Sequence, residues 1–355
     1  MSERSKISVA VITYNQESTI RQTLDSILMQ KGDFDLEVVI GEDCSTDTTL
    51  AICKEYAKQY PDKVVLLSGP KNIGITANYF RTLKACTGDY IADFAGDDFY
   101  CDDYALEKQV RYLLSHPEIG VLAPNGYRYY VKRNEKILGE NERVNTIDAK
   151  EFFFSHNYRG GVIIQGSGMM FRRKLRQYID FDEIIRRKLP VEDYPIQAIW
   201  SQYTKFWRLD DPIVVYRVYK ESSTFVPFEH PKYLSYYKGL ADTRRYLNEL
   251  FPADACFSEE ELQEYEFYKK FLLYLHNLEY NKAKELVRQT SSLPFLPGEE
   301  HSSIEGPVDV HRTTQGRLPA KVQQAKRFTK TWLHFIAAHL IKEYRYQREL
   351  KRNNI

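Results

Sequence analysis

The run Ile7-Ser8-Val9-Ala10-Val11-Ile12-Thr13 is apolar and β-branched almost without interruption, which suits a parallel strand covered on both faces. That requirement narrows the fold at once, because helices must then pack above and below the strand. The following residues supply them in alternation. From Ser18 the apolar positions Ile20, Leu24, Ile27 and Leu28 recur at helical spacing, and after Gly32 the segment Leu36-Glu37-Val38-Val39-Ile40 reads as a second strand. Strand, helix, strand is a βαβ start. A third strand at Val64–Leu67, a helix carrying Phe80 and Leu83 to a C-cap at Gly88, and a fourth strand through Tyr90, Ile91, Ala92 and Phe94 continue the pattern. The expected class is α/β, a mostly parallel sheet flanked by helices.

Polar residues gather at successive strand ends, where open α/β sheets bind ligands. They are Thr13-Tyr14-Asn15, Glu42-Asp43, Asn72 and Asp97-Asp98. Helix capping alone accounts for Ser45 to Thr49 after the second strand. It leaves Glu42 and Asp43 unexplained. Two adjacent carboxylates repel, so Asp97-Asp98 calls for a cation such as Mg²⁺ or Mn²⁺ that bridges to phosphate oxygens; the plainer reading is a strand-end turn with an Asp cap. No G-x-G-x-x-G or Walker sequence follows the first strand, which argues against dinucleotide dehydrogenases and P-loop enzymes.

Bulk composition removes other classes. A net charge of +1 over 355 residues shows no excess that would mark a nucleic-acid binder. Five cysteines without C-x-x-C spacing argue against a zinc site or a disulfide framework and for a reducing compartment. Met1 to Lys6 lead into a strand rather than an apolar signal run, and no segment is apolar enough to span a bilayer, so the expected location is cytoplasmic.

Val11-Ile12-Thr13-Tyr14-Asn15, Gly41-Glu42-Asp43-Cys44-Ser45-Thr46-Asp47, Asn72-Ile73-Gly74 and Gly96-Asp97-Asp98-Phe99-Tyr100, with Lys108-Gln109-Val110 downstream, resemble in order the nucleotide-sugar half of family 2 glycosyltransferases with the GT-A fold. The resemblance runs from about residue 7 to 224. It implies a Rossmann-like mixed sheet with a C-terminal helical extension, a nucleotide diphosphate-sugar donor, typically a UDP-sugar, and Mn²⁺ or Mg²⁺. By the same resemblance Thr13, Tyr14, Asn15, Glu17, Glu42, Asp43 and Asn72 hold the donor, with Asp43 accepting from a base N–H. Asp97 faces the ribose or the metal, and Asp98 ligates the metal directly. Ala95 stands where relatives often carry a further acid, so fewer carboxylates remain for the ion.

Further implications concern the acceptor half. Gly166, Ser167, Gly168 and Trp200 would meet an acceptor sugar, the small residues letting it approach the backbone; a buried strand with glycine bulges is the alternative. Asp193, just before Pro195, suits a helix cap. The resemblance makes it the general base that an acceptor hydroxyl needs, with Glu192 orienting the acceptor or serving as the other base. Arg217 in Tyr216-Arg217-Val218-Tyr219 could pair with the diphosphate as a permanent cation, whereas Tyr219 replaces a family histidine and takes no metal role. An external base with no nucleophile opposite predicts inversion at the anomeric carbon. Assembly of a surface polysaccharide is the expected role; a non-catalytic binding protein and a sugar nucleotidyltransferase are the alternatives.

The expected division is a transferase domain at 1–225 (donor half to about 118, acceptor half from 119), a helical extension at 226–290, a Ser/Pro/Gly-rich linker at 291–319 and a C-terminal helix at 320–355. That last helix carries nine basic against two acidic residues between Lys321 and Arg352, with Phe328, Trp332, Phe335 and Ile336 on one face. It suits either an anionic membrane surface presenting a lipid-linked acceptor or packing on protein, including a second copy of the chain.

Overall fold

The structure is a computed structural model, and it describes residues 4–139, 149–154, 164, 167–189, 193–219, 231–255, 257–277, 279, 282, 285 and 286. The expected linker and the basic C-terminal helix lie outside them. Two units are distinguished: Met1–Tyr219 with Asp242–Phe257, and Lys220–Ala241 with Ser258–Ile355.

In chain order the first unit begins β1 (Ser5–Thr13), α1 (Ile20–Leu28), β2 (Phe34–Glu42), α2 (Thr49–Gln59), β3 (Val64–Leu67), α3 (Ile75–Ala85) and β4 (Tyr90–Ala95). It goes on through β5 (Phe99–Tyr100), α4 (Ala105–Ser115), β6 (Ile119–Tyr130), β7 (Glu135–Leu138), α5 (Ala149–Phe153), β8 (Met170–Arg172), α6 (Phe181–Arg187), α7 (Asp193–Trp200) and β9 (Lys205–Val218). The sheet order is β3-β2-β1-β4-β8-β6-β9-β5, with β7 added to β6. β1 to β4 run parallel, β8 is antiparallel to both β4 and β6, and β6 is parallel to β9. The mixed, mostly parallel sheet therefore matches the expected fold class.

Ile7, Val9 and Val11 are buried against Ile20, Leu24 and Ile27 of α1, as the continuous apolar run requires. One local expectation is corrected. Gly88 does not cap α3, which ends at Ala85; a Cβ on Gly88 would lie 2.5 Å from the Ser8 backbone nitrogen, so a side chain is excluded by the close approach to β1.

Beside that approach a carboxylate is enclosed at the start of the sheet. Glu37 accepts hydrogen bonds from the Ser8 hydroxyl, the Thr87 N–H (2.8 Å) and hydroxyl (2.7 Å), and the Lys6 ammonium (3.0 Å). Burial opposes its ionisation, but those donors outweigh it and hold the carboxyl down at about 2. A depressed pKa contributes stability that is present above the unfolded carboxyl's pKa and is lost as pH falls toward 2. Glu37→Gln is expected to lower stability at pH 7 by roughly 2 kcal/mol and to flatten acid unfolding between about pH 4.5 and 2. Urea melts of both proteins across that range check this.

The second unit contains α9 (Glu259–His276) and the first part of α8 (Tyr233–Leu250), where Tyr233 and Leu272 are buried together and Lys269 lies 4.2 Å from the centre of the Tyr237 ring. Among the described residues no helix is long and apolar enough to cross a membrane.

Candidate active site

The carboxyl ends of β1, β2 and β4 lie on one edge of the sheet because the strands are parallel and in register, Thr13 beside Glu42 and Ile12 beside Ala95. Loops leaving that edge are locked to each other by side chains. Asn15 and Cys44 take left-handed backbone conformations (φ 52° and 59°). Asn15 N–H donates to Ser45 Oγ (2.9 Å), and Asn15 Oδ1 accepts the Thr46 N–H (2.8 Å). Glu17 accepts both the N–H and the hydroxyl of Thr48 (2.9 and 2.6 Å).

Asp43 accepts the N–H groups of Ile73 (2.8 Å) and Gly74 (3.0 Å), one on each oxygen, and Asn72 Oδ1 shares the Gly74 N–H. The Asp43 carboxylate keeps lone pairs for a further donor. Glu42 departs from expectation. It is fully buried and spends its carboxylate on the N–H groups of Cys44 (3.2 Å) and Ser45 (2.7 Å), so it shapes the loop. Tyr14 is 45% exposed on this edge, an open aromatic face suited to stacking on a base.

At the end of β4 the turn Gly96-Asp97-Asp98 is clamped from α1. Thr19 and Thr23 hydroxyls donate to Gly96 O (both 3.0 Å), and Thr23 also to Asp98 O (2.7 Å). A Cβ on Gly96 would come within 2.5 Å of Gln16 Oε1 and 2.7 Å of Thr13 Oγ1, so only glycine fits. The two carboxylates then part company. Asp98 is fully buried, its Oδ1 accepts the Arg217 N–H (2.7 Å), and its Oδ2 has no partner among the described residues. Burial, and then the Asp97 charge, push its carboxyl up from the usual range, against the pull of the Ser167 hydroxyl and of Arg217. Asp97 is half-buried; burial raises its carboxyl also, against the pull of its own N–H, Arg217 and the Gln16 side chain. Of the two carboxylates expected to meet a metal, Asp97 is the more exposed.

Arg217 is corrected as well. Its guanidinium donates to Asp97 O and to Gln22 Oε1 and lies 4.6 Å from the Phe99 ring centre. It staples β9 and α1 to the turn rather than offering a free fork to a diphosphate.

On the acceptor side, Ser167 and Gly168 bond to β4, which leads into this turn. Ser167 Oγ accepts the Ala95 N–H (3.1 Å), and Gly168, at φ +83°, donates its N–H to Asp93 O (2.7 Å). Ile164, three residues earlier, exchanges two hydrogen bonds with the Gln197 amide of α7 (3.1 and 2.7 Å). Gln197 lies one helical turn after Asp193. Every residue of α7 after Asp193 is buried. Asp193 itself is half-buried, its Oδ1 has no partner among the described residues, and burial pushes its carboxyl up to about 6. Glu192 and Gly166 lie outside the described residues. Trp200 is corrected: it is fully buried, its Nε1–H donates to Leu175 O (2.9 Å) and its ring packs 4.4 Å from Phe171, so it anchors α7 and meets no acceptor.

Sequence reasoning passed over Gln16, Thr19, Gln22 and Thr23, which hold the Asp97 turn. Their one signal is hydroxyls at positions 19 and 23, one helical turn apart on the buried side of α1.

Among the described residues no group of three or more His, Cys, Asp or Glu could cage a metal. A half-exposed carboxylate at a strand end still fits Mg²⁺ or Mn²⁺, which commonly takes one or two carboxylates together with substrate phosphates.

Comparison with known proteins agrees with this fold. The family described as Glycosyl transferase family 2 matches residues 8–179. An uncharacterized protein of Mycobacterium tuberculosis is 44% identical over 115 residues, 32% of this chain and 33% of that protein, so this chain spans about a third of that relative's length. The dTDP-rhamnosyl transferase RfbG of Shigella flexneri is 28% identical over 222 residues, 59% of this chain and 72% of its own. Among solved structures, the mannosyltransferase PcManGT of Pyrobaculum calidifontis with GDP-Man and Mn²⁺ superposes with a TM-score of 0.52 (16% identity, 99% of this chain and 85% of that one). TarS 1-349 of S. aureus with UDP-GlcNAc gives 0.51 (17% identity, 81% and 90%). Residues 8–179, which carry most of this GT-A sheet and its polar strand ends, belong to glycosyl transferase family 2.

Proposed function

We propose that the protein transfers a sugar from a nucleotide diphosphate-sugar, a UDP-sugar, to a hydroxyl of a glycan or lipid-linked acceptor in surface polysaccharide assembly, with inversion. The observation that carries this reading is a pair of hydrogen-bonded links, Ser167 to the Ala95 N–H two residues before Asp97, and Ile164 to Gln197 one helical turn after Asp193. In support, Asp97 is half-exposed at the end of β4, and Asp193 Oδ1 has no partner among the described residues. The relatives named for sugar transfer, and the neighbour holding UDP-GlcNAc, support it.

In this reading Tyr14 stacks on the base and Asp43 accepts from its ring N–H, while Asn15, Glu17 and Asn72 keep the loops in place. Asp97 would hold the divalent cation, which supplies charge neutralisation for the departing diphosphate. Asp193 takes the acceptor's proton as the hydroxyl attacks; its raised pKa leaves it ionised at pH 7 yet basic enough to accept. The attack comes from the side opposite the leaving group, so the anomeric configuration inverts.

Incubation with a panel of UDP-sugars and Mn²⁺, following UDP release, tests the reading. Release from at least one donor, abolished by EDTA and restored by Mn²⁺, is expected. No release and no UDP binding would remove it.

A further inference from the structure

Arg128 sits in β6 on the sheet face it shares with Gly126, Val214 and Tyr216, and these residues with Ile164 and Ser167 line a narrow cleft of about 40 Å³. Two of the lining residues fix where the cleft lies. Ser167 touches the donor edge through the Ala95 N–H, and Ile164 is bonded to α7 one turn beyond Asp193. The cleft thus adjoins the acceptor side of the proposed reaction.

Several other cations near these strands are engaged. Arg133 pairs with Glu135 (3.2 Å) and lies 4.3 Å from the Tyr130 ring centre, Lys136 lies 3.9 Å from that of Tyr127, and Arg217 is part of the staple on the Asp97 turn. Arg128 differs. It is half-buried in the cleft wall, and among the described residues no hydrogen bond, ion pair or ring contact occupies it. A guanidinium partly withdrawn from water loses solvation that an anion restores, and its planar fork matches two oxygens of a phosphate or carboxylate.

We infer that the acceptor carries an anionic group, a phosphate or a uronate carboxylate, which Arg128 grips while the neighbouring hydroxyl meets Asp193. The inference rests on the transferase reading and names the acceptor's class within it.

The test is ligand-observed NMR titration of the full chain, saturated with UDP and Mn²⁺ so that the donor edge is filled. The probes are α-D-glucose 1-phosphate, methyl β-D-glucuronide and the neutral methyl α-D-glucoside. At least one anionic probe is expected to bind about tenfold more tightly than the neutral one, with Arg128→Gln bringing the two within about twofold and Arg128→Lys keeping part of the preference. Preference for the phosphate alone or the glucuronide alone identifies the source of the anion. Equal binding of all three probes, no binding of any, or an undiminished preference in Arg128→Gln overturns the inference. Wild-type protein that takes up UDP yet shows no anion preference loses this inference only; wild-type protein that takes up no UDP loses the donor reading with it.

Discussion

Asp193→Asn is expected to lower sugar transfer by roughly 10²- to 10⁴-fold, the range a positioned general base contributes, while UDP binding stays at its wild-type level. A second readout separates lost chemistry from lost structure. Burial raises the Asp193 carboxyl to about 6, so folding favours its protonated form. A carboxyl raised on folding lowers stability as pH climbs through that value, because the ionised form is worse solvated inside than out. Asn removes the penalty, and the variant is expected to be more stable than wild type by about 1 to 2 kcal/mol at pH 7, with no difference at pH 4. An inactive protein that melts higher is what a base held in a dry site requires. The same carboxyl sets the acid limb of the rate: kcat/KM rises with pH up to about 6 and levels above it, since only the ionised form accepts the proton. A variant that is both inactive and unstable would point to a mere helix cap.

Asp97→Asn and Asp98→Asn are expected to part widely, although the residues are adjacent. Loss of the Asp97 charge removes the carboxylate that faces the donor edge, and turnover with Mn²⁺ should fall by roughly 10²-fold or more. Asp98 is fully buried, and an Asn there still offers an oxygen to the Arg217 N–H. Its loss should stay within about tenfold, with Mn²⁺ half-saturation unchanged. Steady-state rates at several Mn²⁺ concentrations decide the matter. Equal losses in the two variants would restore Asp98 as the ligand.

The contrast within this pair shows what the sequence could and could not carry. Ile7–Thr13, Val64–Leu67 and the helical spacing of Ile20, Leu24 and Ile27 announce their elements because apolar periodicity is a local property. The four polar strand ends follow from parallel topology, and the structure does gather them on one edge. Side-chain direction is a different matter. Nothing in Asp97-Asp98 tells which carboxylate turns inward; that depends on an N–H arriving from Arg217, 119 residues away.

Trp200 and Arg217 illustrate the same limit. Each is a residue type suited to a ligand, and each is taken up by partners on distant segments, Leu175 and Phe171 for the indole, Asp97 and Gln22 for the guanidinium. Arg128 is the converse case. It stands in an unremarkable strand, and only the cleft around it gives its charge a use.

The account turns on Asp97 and Asp193 facing one bound donor, and a crystal structure of the full chain with UDP and Mn²⁺, read by anomalous scattering at the manganese edge, tests that most directly. The predicted result is a single manganese peak bonded to the Asp97 carboxylate and to both phosphates, with Asp193 opening toward the sugar side of the diphosphate across Ser167. A peak bonded to Asp98 instead, or a diphosphate whose sugar side points away from Asp193, would contradict it.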